Sequence, residues 1–325
     1  MQIEKGDKIF IVTTTLALDA ALWDSYVVHA NATLGNHFTK AQYIQKYTHN
    51  PRGYSYHTVL VDKALGIVVG GTSAIPVAYQ YFEETLDFAL SCDTFVVESY
   101  RKDFTLAYAL FNNLTKHLKS VGIPFFLGIP DQFTLYPYLK KIVKWQEIGC
   151  LPTYALPINL PKIVKLDIGI LNFLYRRCLT VALSVINGLS KVQYKVPRIY
   201  KKQDEGYNPN FLTEQTHKEV VFRYRILEDK HRIAQVVYFK NKDETVNPLA
   251  LKQVLDYFIQ HNAADVVVYI GTLPFKNHLM VTLPAKYRKR EYYFMGKVII
   301  PEKIDAAVIH DFNNWSFGFN NLDIR

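Results

Sequence analysis

The chain has 325 residues, of which 49% are hydrophobic and 21% are charged, so it can bury the cores of two domains and is not a disordered chain. Its formal net charge is +9, and the whole surplus lies in residues 161–325, because residues 1–160 carry equal numbers of basic and acidic side chains. Three widely spaced cysteines and an N-terminal segment without a signal-peptide pattern argue against a secreted, disulfide-rich protein and predict a cytoplasmic one.

The segment from Cys92 to Leu114 predicts a buried strand that runs into a helix through a polar turn. Three apolar residues stand in a row at Phe95–Val97, and apolar positions recur at helical spacing from Leu106 onward. Between them, Arg101 and Lys102 lie next to the point where the first free N–H groups of the helix point outward. Such a helix start favours anions, so we expect this turn to hold a group such as a pyrophosphate.

A second buried strand and a short helix follow. Phe125–Gly128 reads as the strand, and the short helix carries Tyr136 and Tyr138. The stretch Lys144–Gly149, which contains a tryptophan and ends on glycine, predicts a further strand.

The first domain is expected to end near Pro157–Pro161, because prolines there break regular structure. A long helix is predicted next, with an apolar stripe of about eight turns. The stripe consists of Ile163, Leu166, Ile170, Leu174, Cys178, Val181, Val185, Leu189 and Val192. Arg176 and Arg177 argue against a membrane span. We expect the two domains to cover the stripe, and the alternative is a helix that lies on anionic lipid.

The second half of the chain resembles a degenerate repeat of the first half. Strands are predicted at Val220–Leu227 and Arg232–Lys240, a helix from Leu251, and a buried strand at Val266–Gly271. The turn at residues 240–244 has no glycine and no arginine and carries two acids, so we expect no pyrophosphate site there.

The order strand, polar turn, long helix, strand, short helix and strand resembles the second half of the GNAT N-acyltransferase fold. Trp23–Val27 matches a W-D-x-(F/Y)-V segment of GNAT-like acyltransferases from bacterial surface-polysaccharide pathways, and Asn314–Phe317 with Asp323–Arg325 matches their C-terminal tail. The resemblance implies an α/β fold of two tandem GNAT-like domains, with mixed central sheets flanked by helices and joined by the long amphipathic helix. The expected boundaries are 1–160, 161–202 and 203–325, the last a degenerate second GNAT-like domain.

The same resemblance implies acetyl-CoA or another acyl-CoA as cosubstrate. Phe95, Val96 and Val97 would offer backbone groups to the pantetheine arm. The pyrophosphate would meet the turn formed by Arg101, Lys102, Asp103, Phe104, Thr105 and Leu106. The family's turn usually reads (R/Q)-x-x-G-x-(G/A), and here Phe104 and Leu106 stand where the glycines belong.

Two side chains are candidates for the chemistry that the family performs. Asp93 could serve as base or substrate anchor, or alternatively as a cap at the strand end. Tyr138 could be the acid, with Tyr136 as its competitor and a packing role as the alternative for both.

The predicted function is therefore an N-acyltransferase that acts on an amine such as an amino sugar, with His37 and His49 near the acceptor or in ordinary surface loops. The alternative is a degenerate pair that binds a ligand or partner without catalysis. The ten histidines show no zinc spacing, so we expect no metal. The basic and aromatic segment 287–293 lies in no nucleic-acid motif, so we expect no nucleic acid. Peripheral membrane contact through 162–202 stays open, as does the oligomeric state.

Overall fold

A computed structural model describes residues 1–50, 52–166, 168–188, 196–202, 212–288 and 290–319, and the backbone of Leu189. The chain divides into two compact units, and both are discontinuous in sequence. The first unit comprises Met1–Cys150, Ile199–Tyr207 and Tyr292–Asn314, and the second comprises Leu151–Arg198, Asn208–Glu291 and Trp315–Arg325.

The described residues form the following strands and helices. The strands are β1 (Gln2–Lys5), β2 (Lys8–Thr14), β3 (Tyr56–Asp62), β4 (Ile67–Tyr81), β5 (Glu84–Val96), β6 (Phe125–Gly128), β7 (Gln146–Cys150), β8 (Thr153–Pro157), β9 (Ile199–Lys201), β10 (Thr213–His217), β11 (Val220–Glu228), β12 (Arg232–Asn241), β13 (Val266–Ile270), β14 (Val281–Thr282), β15 (Tyr293–Val298) and β16 (Trp315–Ser316). The helices are α1 (Ala20–Leu34), α2 (Lys40–Thr48), α3 (Phe104–Ser120), α4 (Leu135–Tyr138), α5 (Leu160–Ile163), α6 (Gly169–Leu189), α7 (Pro248–His261) and α8 (Ala306–His310).

The sheet of the first unit has the strand order β1-β2-β3-β4-β5-β6-β15-β7, and β9 pairs with β4. Strands β1 to β5 are antiparallel neighbours, whereas β5 and β6 are parallel and are connected through α3. Alternate residues of β3 and β4 point to opposite faces, so this sheet has a core on each side. One core contains Tyr26 of α1 and Tyr47 of α2, and the other contains Leu106 and Leu110 of α3.

The sheet of the second unit has the order β10-β11-β12-β13-β8-β14. Strands β10, β11 and β12 form an antiparallel meander, and β12 pairs in parallel with β13 through a connection that contains α7. Asn247 caps α7, Pro248 occupies its first turn, and its apolar face packs in the core of this unit. A meander followed by a parallel crossover is the arrangement of β2 to β6 as well.

The predicted fold class, mixed sheets flanked by helices, is confirmed. The units nevertheless differ from the contiguous segments 1–160, 161–202 and 203–325 that the sequence predicts. The physical reason is strand pairing, because β8 pairs with β13 in the second sheet while β15 lies between β6 and β7 in the first. Strands β8 and β15 are thus placed in the sheet made mostly by the other half of the chain.

The long helix also differs from the prediction. It is divided into α5 and α6, and Lys165 between them has a left-handed backbone with φ of 64°. Helix α6 is part of the second unit, where it packs against α7. By length and composition alone, Gly169–Gly188 is long and apolar enough to cross a membrane.

The described part of the predicted apolar stripe on α6 faces outward, and Val192 and the side chain of Leu189 lie outside the described residues. Ile170, Leu174, Val181 and Val185 are exposed, so the expectation that they are covered is wrong for these residues. The side of α6 that packs in the second unit carries Leu179 and Leu183 instead.

Candidate functional site

The parallel strands β5 and β6 pair over a short stretch, because β6 has four residues and ends at Gly128. Their pairing is limited to Ala89 with Phe126 and Leu90 with Leu127 in the described part of the chain, although β5 continues to Val96. At Gly128 an added Cβ would stand 3.2 Å from the Cβ of Ser91. The strands are therefore close at Gly128, where β6 ends, and β5 alone continues from there to Val96.

A bulge interrupts the part of β5 that continues past the end of β6. The register between β4 and β5 shifts between Gly71 and Ser73, and Asp93 has a left-handed backbone with φ of 44°. The hydroxyls of Thr72 and Thr94 lie 2.8 Å apart across the bulge. A bulge changes the direction of a side chain, and here it places the Asp93 carboxylate on the side of α2.

Asp93 is part of a buried ion pair. Its Oδ2 accepts hydrogen bonds from Lys46 Nζ at 2.5 Å and from the Tyr47 hydroxyl at 2.6 Å, and its side chain is 0% exposed. Tyr26 extends the group, since its hydroxyl lies 2.9 Å from that of Tyr47. Burial raises the pKa of Tyr47 well above its usual value, so this tyrosine stays protonated and donates to Asp93.

A buried histidine continues the polar network. His57 Nδ1 lies 2.8 Å from Ser73 Oγ, and His57 Nε2 lies 2.8 Å from Thr15 Oγ1. Ser73 Oγ lies 3.4 Å from the Tyr26 hydroxyl, which connects the histidine to the Asp93 group. Burial lowers the pKa of His57 to about 3, so its ring is neutral at physiological pH. The sequence did not point to Lys46 or His57. A polar residue inside an apolar, buried strand is the pattern that could have identified His57.

The turn before α3 is exposed, as an anion-binding turn requires. Arg101, Lys102, Asp103 and Phe104 are all exposed, and Arg101 Nε donates to the Val96 carbonyl at 2.8 Å. Leu106 is buried in the core on the α3 side. Phe104 is 67% exposed. Phe104 and Leu106 stand where the family has glycines, and neither side chain packs against the backbone of the turn.

Asp103 occupies the helix start itself. Its Oδ1 accepts hydrogen bonds from the Thr105 N–H at 3.0 Å and from the Thr105 hydroxyl at 2.5 Å. These bonds lower the pKa of Asp103, so a negative charge already caps α3. In the second unit Asp243 also accepts from an N–H two residues on, that of Thr245 at 3.0 Å, but this turn precedes α7, which Asn247 caps.

The three strand residues predicted to meet the pantetheine arm have side chains that pack in the sheet's two cores. The Phe95 ring contacts that of Tyr26 edge to face, and Val96 packs on the α3 side. The Val97 N–H donates to the Val69 carbonyl at 2.9 Å. Any contact of this strand with a ligand would therefore use backbone groups on the edge that faces β6.

Tyr138 lies at the turn and Tyr136 does not. The Tyr138 hydroxyl donates to the Phe104 carbonyl at 3.1 Å, and burial raises the pKa of this tyrosine to about 12. Tyr136 donates to Glu147, and its ring stacks on that of Tyr293 at 4.3 Å. The structure thus brings Tyr138 together with the turn but places Asp93 in a separate, buried group. The catalytic roles of both residues remain predictions, as do those of the exposed His37 and His49.

No protein-family model matches the chain, and no curated protein matches it. Several solved structures match the chain. A GCN5-related N-acetyltransferase from Anabaena variabilis ATCC 29413 matches with a TM-score of 0.56 at 12% identity, over 89% of this chain and 73% of that one. A GCN5-related N-acetyltransferase from Kribbella flavida matches with a TM-score of 0.52 at 11% identity, over 89% and 72%. A probable N-acyltransferase from Enterococcus faecalis V583 matches with a TM-score of 0.51 at 10% identity, over 90% and 73%. The chain therefore has the fold of the GCN5-related N-acetyltransferases.

Proposed function

We propose that the protein is an acyl-CoA-dependent N-acyltransferase. The observation that carries the proposal is that β6 ends at Gly128 while β5 continues to Val96, just before the exposed turn that begins α3. A thioester arm beside the end of β6 would lie along the part of β5 that continues past Gly128, and its phosphates would reach Arg101 and Lys102. Both of these cations are exposed and can donate charge-assisted hydrogen bonds to phosphate oxygens.

The reaction requires little from the protein beyond position and proton transfer. A carbon–nitrogen bond to the acceptor amine forms, the carbon–sulfur bond of the thioester breaks, the amine loses a proton and the leaving sulfur gains one. Tyr138 is protonated at neutral pH, because its pKa is about 12, and it lies at the turn. We assign it the role of proton donor to the sulfur.

Asp93 receives a positioning role. Its carboxylate is buried with Lys46 and Tyr47, so it supports the bulged strand and cannot take a proton from a solvent-borne amine without opening of the core. In this proposal Asp93 is therefore a positioning residue and not the base or the substrate anchor.

For the acceptor we propose a primary amine, such as an amino sugar of a surface-polysaccharide pathway in the bacterial cytoplasm. Its support is the sequence resemblance at Trp23–Val27, a segment whose Trp23 and Tyr26 pack in the core beside α2. We also propose that the two units are tandem copies, since both combine a meander with a parallel crossover.

A second candidate is binding without catalysis. It is favoured by the Asp103 carboxylate, which places a negative charge and an occupied Thr105 N–H where a pyrophosphate would meet the helix start.

The test is a thermal-shift titration with acetyl-CoA and longer acyl-CoAs. A thioester at 100 times its dissociation constant should stabilise the protein by about 2.7 kcal/mol. Arg101→Ala should weaken binding by about 1.5–3 kcal/mol if the arginine meets a phosphate, whereas Lys116→Ala, an exposed cation further along α3, should not.

Three results are informative. Binding followed by transfer of the acyl group to an amine supports the enzyme. Binding with no transfer to any amine tested supports the second candidate. No stabilisation by any CoA thioester contradicts both uses of this turn.

A further inference from the structure

Helix α6 exposes a continuous apolar surface, which we call the outer face. It consists of Ile170, Leu174, Cys178, Val181 and Val185, which recur at intervals of three and four residues. Leu174 is 51% exposed and Val181 is 64% exposed. Exposed apolar residues continue before the helix, at Val164, Leu166 and Ile168. A surface of this length marks an interaction site in a folded protein.

The opposite side of α6 is already occupied. Leu183 is 2% exposed within the core of the second unit, and Leu179 packs against the same core. Asn172, on this side too, is buried. The helix is therefore held to α7 by one side, and its outer face is directed away from the unit's core.

The charge around the outer face is positive. In the sequence, nine basic residues and one acidic residue lie between Lys162 and Lys202. Of these, Lys191, Lys195 and the acid, Asp167, lie outside the described residues, and Lys201 and Lys202 belong to the first unit. Lys165 and Arg177 are exposed, and the Arg177 guanidinium lies over the Phe173 ring at 5.2 Å. Aromatic and basic side chains at the margin of an apolar helix face match the boundary between acyl chains and anionic headgroups.

We propose that the outer face of α6 binds the surface of an anionic phospholipid bilayer. The helix lies in the plane of the headgroups and does not cross the bilayer. Crossing would place Arg176 and Arg177 in the hydrocarbon and would strip α6 from the core that holds Leu183. A helix of 21 residues is about 30 Å long, so in this plane the apolar surface reaches the lipid along its whole length.

A second copy of the chain fits this surface less well. In a symmetric dimer the same patch meets itself, which would bring the cations beside the outer face toward their own counterparts. Like charges at an interface oppose association, whereas anionic headgroups attract the same cations. Charge complementarity therefore favours lipid.

The test uses the full chain and sedimentation with two kinds of vesicle. One is an equimolar mixture of phosphatidylcholine and phosphatidylglycerol, and the other is phosphatidylcholine alone. We expect binding to the mixed vesicles, weaker binding to the neutral ones, and a decline as salt is added. Leu174→Asp and Val181→Asp should each reduce binding about tenfold or more, because each adds a charge to the inserted face.

Matched controls separate lipid contact from general effects. Leu249→Asp changes a leucine of α7 that is 50% exposed and should leave binding unchanged. Arg177→Glu should weaken binding to the mixed vesicles about tenfold or more, whereas Lys230→Glu, an exposed lysine of the β11–β12 turn, should not.

Four outcomes would overturn the proposal. The wild type does not bind the mixed vesicles, or Leu174→Asp binds them as well as the wild type does. Leu174→Asp unfolds or aggregates without lipid, which would show that protein covers the outer face. Ultracentrifugation finds a dimer that Leu174→Asp dissociates while vesicle binding is unaffected, which would assign the face to a second copy.

Discussion

Asp93 combines a left-handed backbone conformation with a fully buried carboxylate. A non-glycine residue in that conformation is held there by its surroundings, and the surroundings here are a cation and a hydroxyl that both donate to Oδ2. The bulge and the ion pair therefore support each other. The carboxylate is stable inside the core because Lys46 neutralises it, and the strand keeps its irregular path because the carboxylate is fixed.

Replacement of Lys46 tests this dependence. Lys46→Met should destabilise the protein by about 3–5 kcal/mol, since the buried Asp93 would lose its cation. Lys40→Met is the matched control, because Lys40 lies on the same helix and pairs with Asp24 at the surface, at 2.8 Å. The control should change stability by less than about 1 kcal/mol. Urea unfolding of both variants measures the difference, and equal effects would contradict the account of Asp93 as a supported charge.

A second buried carboxylate makes stability depend on pH. The Asp265 side chain is 0% exposed and accepts from Asn159 at 3.0 Å, Lys162 at 3.2 Å and the Arg232 N–H at 3.0 Å. Burial alone would raise its pKa, but these hydrogen bonds and the Lys162 charge outweigh burial and hold the pKa at about 2, against 3.8 for the free side chain. The folded state thus favours the charged form.

The sign of the pH effect follows. The stabilisation is complete above pH 3.8 and is lost as the pH falls toward about 2, where the folded protein also takes up the proton. The melting temperature should fall as the pH is lowered through this range. Asp265→Asn should make the dependence of the melting temperature on pH less steep. An Asp265→Asn variant with the wild-type pH profile would show that another carboxylate is responsible.

At the scale of elements, the negative charge of Asp103 at the start of α3 opposes the binding of an anion there. The prediction that follows rests on the proposed function. Asp103→Ser keeps a side-chain oxygen that can cap the helix and removes the charge. Affinity for an acyl-CoA should then rise about two- to fivefold, the range expected for one charge at a helix terminus. Asp243→Ser, which alters an Asp–Thr turn of the second unit that does not cap a helix, should leave affinity unchanged. Calorimetric titration compares the two, and a fall in affinity for Asp103→Ser would place the pyrophosphate elsewhere.

The elements that the sequence predicts well are those whose pattern is local. The strand at Phe125–Gly128 and the helix after Arg101 follow from hydrophobic periodicity and from capping within a few residues. The long helix shows the limit of the same reasoning. Apolar residues occur on both sides of α6, so periodicity finds an apolar stripe without showing which side the core uses, and the structure uses the side of Leu183.

The candidate site shows the same limit at longer range. The turn at Arg101–Phe104 is exposed and Tyr138 lies beside it, and the functional roles of both stay predictions. The partner of Asp93 could not be predicted, because Lys46 lies 47 residues away on another element. Sequence spacing carries no information about a contact of that kind.

At the scale of the whole molecule, the two halves of the chain exchange strands. Strand β8 follows β7 directly in the sequence but joins the second sheet, and β15 returns to the first sheet between β6 and β7. Sheet register is set by pairing partners, and the partners here are more than a hundred residues apart in sequence. This is why the sequence suggests a boundary near residue 160 that the strand pairing does not follow.

The exchange predicts that neither half folds alone. A fragment of residues 1–160 would lack β15, so β6 would have an open edge and β7 would lose its neighbour in the sheet. A fragment of residues 161–325 would lack β8, which separates β13 from β14. We expect each fragment alone to aggregate or to unfold without a cooperative transition. The two fragments produced together should form a complex, because each supplies the strand that the other lacks. Circular dichroism and size exclusion test this, with the intact chain as reference. A cooperatively folded, monomeric 1–160 fragment would contradict the role given to β15.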